Sequence, residues 1–192
     1  SVRPAFYATF FFFFCVVQVR FIAEVTNTES IQDQSYDLIL STGFINPQIR
    51  HQKAGVPHQA MTRWTKLFWL GHSPLPISID HNLTYLAKAR VTPNFDTSLK
   101  IPESTIASEY ALWLSSKSDL FEPGRWQTRM ATGGGRPEIG IYPAWTIQWL
   151  YSGDWRLAEI ALRQSELSGA WPMHVREGDP ARTFDIERQV SG

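Results

Sequence analysis

Along residues 17 to 26, Val17, Val19, Phe21, Ala23 and Val25 fall on one parity and Gln18, Arg20, Glu24 and Thr26 on the other, with Ile22 the exception. A period of two is what a strand shows when one face of its sheet is buried, so this segment is predicted to be a strand. The residues before it, AFYATFFFFFCVVQV at 5–19, are apolar between Arg3 and Arg20. That stretch is shorter than the ~20 residues a helix needs to cross a bilayer, and a membrane association is not expected. Its basic start and apolar middle also fit a signal peptide, but no small-x-small cleavage pattern clearly follows. The polar TNTESIQDQS at 26–35 is turn-like and leads to YDLIL at 36–40. The two apolar segments on either side of it read as antiparallel strands. Residues 43–58, rich in Gly, Pro and His, fit neither period and are expected to be loop. RWTKLFWLG at 63–71 is apolar with Arg63 and Lys66 interspersed, and PISI at 76–79 is expected to be a short strand bounded by proline.

After residue 79 the period changes. Asp80 is placed to cap a helix through Leu83, Leu86 and Ala87 that must stop before Pro93, because the residue preceding proline avoids helical angles. A second helix is predicted after PEST at 102–105, with Ile106, Tyr110, Trp113 and Leu114 at helical spacing. The strongest pattern is YPAWTIQWLYSGDWRLAEIALRQSELSG at 142–169. Pro143 suits a first helical position, and Ser152-Gly153-Asp154 supplies a glycine stop followed by an aspartate cap. This predicts a helical hairpin. Its first arm, through Trp145, Ile147, Trp149, Leu150 and Tyr151, is apolar nearly all round, as an inner helix would be. Its second arm puts Leu157, Ile160, Ala161 and Leu167 on one stripe and Arg156, Glu159, Arg163 and Glu166 on the other, with Glu159 and Arg163 at a favourable i,i+4 spacing. The expected fold class is α+β, with a β-rich segment at 1–79 and helical hairpins at 80–192.

The buried helix ending in LYSGD, followed by an amphipathic helix, resembles the repeating hairpins of (α/α) toroid proteins, an architecture of glycoside hydrolases and polysaccharide lyases. The resemblance covers residues 142–169, and more loosely 80–117. It is a hairpin signature without a catalytic motif, and other helical-hairpin proteins share it. A closed ring needs about twelve helices, whereas about four fit after residue 80, so the resemblance implies a partial toroid and a piece of a longer protein, the alternative being a small α+β domain complete in itself. It further implies a carbohydrate substrate, and a secreted or periplasmic setting.

Composition narrows the classes. In 192 residues, 18 basic side chains balance 18 acidic ones with no basic block, so a nucleic-acid partner is not expected. One cysteine, Cys15, excludes an intramolecular disulfide and any cysteine cage. The other metal ligands lack compact spacing: His51, His58, His72 and His81 are scattered, no H-E-x-x-H occurs, and no metal or other cofactor is expected. Eight tryptophans are the unusual number, and indoles serve cores, interfaces and sugar-stacking platforms alike.

Two loops flank the predicted hairpin. TGGGRPEIG at 132–140 lacks the Lys-Ser/Thr ending of a phosphate loop, and Glu138 stands where G-x-G-x-x-G would need its third glycine. WPMHVREGD at 171–179 carries the residue types of a reactive loop. His174, Glu177 and Glu138 are the candidate acids and bases, with Arg136 and Arg176 to hold a carboxylate and Trp171 to stack on a ring. A lyase would use the His, Glu and Arg set; a hydrolase would use two carboxylates about 5 to 10 Å apart, drawn from Glu138, Glu177 and Asp80. A plain polar connection with Arg176 paired to Glu177 or Asp179 explains the same residues. Trp64, Asp80 and His81 form a second aromatic and ionisable group, fit either for substrate or for packing. A noncatalytic interaction module is the rival from another class.

Overall fold

A computed structural model of the chain describes residues 2–11, 16–25, 32–43, 45–71, 76–93, 96–128, 136 and 138–171. The fold is α+β, with antiparallel strands in two sheets and four helices among the described residues. Two compact units are formed, one from Ser1–Pro74 with Glu166–Gly192 and one from Leu75–Ser165.

The first unit is built on β1 (Val2–Phe11), β2 (Val16–Val25) and β5 (Arg63–Leu70), in the order β1-β2-β5 and antiparallel throughout. The predicted strand at 17–25 is therefore β2, and the apolar stretch before it forms a second strand of its own. Val19, Ala23 and Val25 are buried, as the alternation requires, while Arg20 stays exposed and meets Glu166 at 3.3 Å. Glu24 lies opposite Arg63 in the register, with Nη1 to Oε1 at 3.7 Å. β3 (Gln34–Thr42) pairs with β4 (Gln48–His58) in a separate two-stranded ribbon.

Three sequence expectations differ here. β2 does not pair with β3; its edges are taken by β1 and β5. The Gly-rich passage expected to be loop contains β4, because two register shifts and Gly55 at φ 60 accommodate the residues that break its alternation. Residues 76–79 lie in no strand; the Ile79 amide donates to the Gly153 carbonyl instead.

A line of polar groups holds the ribbon residues. The Trp64 indole donates to the Tyr36 hydroxyl at 2.6 Å, Tyr36 and His58 Nδ1 are 2.7 Å apart, and His58 Nε2 lies 3.0 Å from the Thr62 carbonyl. A carbonyl only accepts, so His58 carries its proton on Nε2 and Nδ1 accepts from Tyr36. Every group in the line then donates once in the same direction. Burial, partly offset by the bond to Thr62, lowers the His58 pKa, and burial raises that of Tyr36 against the opposing indole bond.

The second unit contains α1 (Leu83–Lys88), α2 (Glu103–Ser115), α3 (Ala144–Ser152) and most of α4 (Trp155–Leu167). Both helices of the predicted hairpin are present, joined through Gly153 and Asp154. Gly153 ends α3 in the left-handed region at φ 63, and the Asp154 carboxylate accepts from the Arg156 amide at 2.9 Å to cap α4. The apolar stripe of α4 is buried at Leu157, Ile160 and Ala161, and Trp113, Trp145 and Ile106 complete this core. Each large member contributes roughly 1.5–3 kcal/mol by leaving water. Trp145 meets Trp126 edge-on at 5.5 Å, and Trp155 meets Tyr110 at 5.4 Å.

α1 begins later than expected. Its cap is Asn82, at φ 48, whose Oδ1 accepts from the Tyr85 amide at 3.1 Å, while Asp80 accepts from the Asn82 amide at 2.9 Å. The Asp80 side chain is spent on the turn before the helix, one residue pair upstream of the cap itself.

Candidate functional site

Within the second unit, residues 78–84 and the C-terminal end of α3 face one another across a cleft of about 650 Å³. Its lining includes Ser78, Asp80, His81, Thr84, Thr97 and Ser152, with Ile79, Leu83 and Leu150 supplying apolar surface. Local sequence builds both walls. The glycine that stops α3 lets the chain come against residue 79: the Ile79 amide donates to the Gly153 carbonyl at 2.8 Å, and a methyl on Gly153 would overlap the Ile79 carbonyl. The other wall is shaped by the consecutive Asp80 and Asn82 side-chain turns described above.

Second-line contacts brace the lining. The Tyr151 hydroxyl donates to the Asp96 carbonyl at 3.1 Å, and the Asp96 carboxylate accepts from the Ser98 amide and hydroxyl at 3.0 and 2.6 Å. Those two bonds hold the Asp96 carboxyl below its ordinary range. His81 stands edge-on to Trp149, with ring centroids 4.9 Å apart and planes at 87°. The His81 Nε2 and Trp149 indole nitrogens are both buried without a hydrogen-bond partner among the described residues. The Ser152 hydroxyl accepts from the Asp154 amide at 3.1 Å.

Among the named candidates, Asp80 and His81 are brought together in this cleft. Arg136 and Glu138 lie elsewhere and pair with each other at 2.6 Å, the Glu138 side chain being 5% exposed. Arg136 also donates to the Gln127 carbonyl at 2.8 Å, and Glu138 accepts from the Gln127 amide at 3.3 Å, so the pair clamps one backbone position. Trp64 is buried on β5 with its indole bonded to Tyr36. Trp171 is 53% exposed at the end of the short 3-10 turn Ser168–Ala170. His174, Arg176 and Glu177 lie outside the described residues. No group of three or more His, Cys, Asp or Glu side chains that could hold a metal occurs among the described residues.

A charged cluster that the sequence did not single out surrounds Arg156. Its guanidinium donates to Glu103 at 2.7 and 2.9 Å and to Asp154 at 2.9 Å through both Nε and Nη2. These bonds push both carboxyls below, and the guanidinium above, their ordinary ranges. All its strong donors are directed at protein carboxylates, which makes it a brace between α2 and the hairpin turn. Gln164 is fully buried, accepting from the Arg125 amide at 2.8 Å and donating to the Pro123 carbonyl at 3.0 Å. Only tertiary structure reveals it, since its position on α4 adjoins the polar stripe.

No helix among the described residues is long and apolar enough to cross a membrane. No protein-family model matches the chain, and neither a curated protein nor a solved structure shows significant similarity to it.

Proposed function

We propose that this chain is a carbohydrate-binding protein whose ligand, a neutral saccharide, lies in the cleft between residues 78–84 and 150–153. The lining chemistry is the observation that supports the reading. Hydroxyl and amide groups of Ser78, Asn82, Thr84, Thr97 and Ser152 can both give and take hydrogen bonds, while Ile79, Leu83 and Leu150 offer apolar surface to the C–H faces of a sugar ring. Neither Lys nor Arg is among the described lining residues, where a uronate carboxylate would meet Asp80.

Binding without bond cleavage is favoured over hydrolysis or elimination. Asp80 is the single carboxylate among the described lining residues, whereas hydrolysis uses two. Glu138, a second carboxylate in the sequence reading, is not part of the cleft lining, and its Oε1 is held by Arg136 and the Gln127 amide. The hairpin of α3 and α4 is compatible with the toroid-like architecture that motivated a sugar ligand, and that finer architectural reading belongs to the same proposal.

Calorimetric titration of the chain with maltose, cellobiose and lactose tests it. At least one is expected to bind with Kd near ~1 mM or tighter, and Thr84→Val, which removes a hydroxyl at nearly constant shape, is expected to weaken that affinity about tenfold, or ~1.4 kcal/mol. Absence of saturable binding to all three, or binding that Thr84→Val and Thr97→Val both leave unchanged, would contradict the proposal.

A further inference from the structure

We infer that Asp80 is the specificity-determining residue of the cleft: its carboxylate takes two adjacent hydroxyls of one sugar ring and turns acidic sugars away. The inference rests on the saccharide reading of this cleft and names the feature a ligand must present there, a free vicinal diol.

The chemistry of the lining singles Asp80 out. Ser78, Thr84, Thr97 and Ser152 carry hydroxyls, and a hydroxyl adapts, giving a hydrogen bond to one ligand group and taking one from another. An ionised carboxylate only accepts. A ligand group set against Asp80 therefore has to be a donor, whereas an ether, carbonyl or carboxylate oxygen there would leave two acceptors facing each other. Two hydroxyls on neighbouring ring carbons meet the demand best, because a carboxylate presents two oxygens side by side.

The side chain is exposed, and the chain on either side of it is held in position. Before it, the Ile79 amide donates to the Gly153 carbonyl at 2.8 Å, which fixes the backbone against the end of α3. After it, the Asn82 amide donates to Asp80 Oδ1 at 2.9 Å, and the Asn82 side chain accepts in turn from the Tyr85 amide at 3.1 Å. The Asn82 amide fills one of about four acceptor positions on the carboxylate. An acceptor already oriented loses little freedom when a ligand arrives, which is how preorganisation strengthens binding.

Charge acts in the same sense as hydrogen bonding. The chain carries 18 basic and 18 acidic side chains, so net charge gives no general repulsion of anions and the field in the cleft is local. Asp154, two residues beyond Ser152, is paired with Arg156 at 2.9 Å. Asp96, beside Thr97, accepts from the Ser98 amide and hydroxyl at 3.0 and 2.6 Å. Asp80 is the carboxylate that lies in the lining itself.

Calorimetric titration of the full chain and of Asp80→Asn tests the inference. The probes are maltose, cellobiose and lactose, each beside its counterpart with a carboxylate in place of the C6 hydroxymethyl of the non-reducing ring. Asparagine keeps the shape and the oxygen that accepts from Asn82, but exchanges an acceptor for a donor and loses the charge. Wild type is expected to bind a neutral disaccharide at least about tenfold more tightly than its acidic counterpart at ~10 mM salt, where screening across the cleft is weak. In Asp80→Asn the neutral sugar is expected to bind about fivefold more weakly, and the preference to fall to about twofold or less. Wild type that takes both sugars alike, a preference that Asp80→Asn leaves unchanged, or loss of both ligands in Asp80→Asn would overturn the inference while the saccharide reading stands. Absence of wild-type binding to all three neutral sugars would overturn both.

Discussion

Gly153 shows how one residue can serve two demands. It ends α3 at φ 63, and it brings the helix end against residue 79 to shape the cleft. LYSGD made the first role legible, because glycine after an apolar helical run is a stop signal. The second was not legible, since nothing local marks Ile79 as the neighbour. Gly153→Ala places a methyl in the left-handed region and into the Ile79 carbonyl, and is expected to cost about 3 kcal/mol or more, measurable by urea denaturation. A loss below ~1 kcal/mol would show that the approach relaxes easily.

His58 is the other residue whose setting decides its behaviour. Its folded pKa is lowered by burial, and the unfolded value is about 6.5. Below that value the unfolded chain takes up a proton that the folded chain refuses, so stability rises with pH through this window. The contribution of neutral His58 is therefore full above pH ~6.5 and is lost as pH falls toward the folded pKa. Melting temperatures measured from pH 7.5 to 5 should fall, and His58→Gln should flatten the slope; an unchanged slope in the variant would contradict the proton line from Trp64 to Thr62. His58 was visible in the sequence only as one of five histidines, since burial at a strand end depends on what packs over it.

At the scale of elements, amphipathic period proved the most informative signal. The helices at 144–152, 155–167 and after residue 102 lie where the pattern put them; α4 buries the stripe set by its own residues, whereas α3, expected as the inner arm, buries Trp145 and leaves the rest of its apolar surface half-buried. Strand pairing was less legible. β2 lies between β1 and β5 although YDLIL is closer in the chain than Arg63, and pairing partners are chosen by the sheet face buried, which periodicity alone does not encode. β4 was missed because its glycine and register shifts conceal the alternation. On α4, Gln164 satisfies the Pro123 carbonyl and the Arg125 amide from inside the core. Gln164→Leu fills the volume and pairs with neither, and should lower unfolding free energy by about 2–3 kcal/mol in urea melts. Equal or greater stability would mean that water takes over both groups.

At the scale of the molecule, the compact units divide at Pro74/Leu75 and again at Ser165/Glu166, and the second division has no marker in the sequence because α4 continues through it. The candidate site divides in the same way. Asp80 and His81 share the cleft, whereas Arg136 and Glu138 pair with each other, a choice that residue type and spacing leave open. The proposed saccharide reading depends on the cleft alone. It is tested most directly by recording amide proton–nitrogen spectra of the labelled chain while titrating each of the three disaccharides. Saturable shifts concentrated at residues 78–84, 97 and 150–153 are the predicted result. Shifts concentrated elsewhere, or none with any of the sugars, would contradict it.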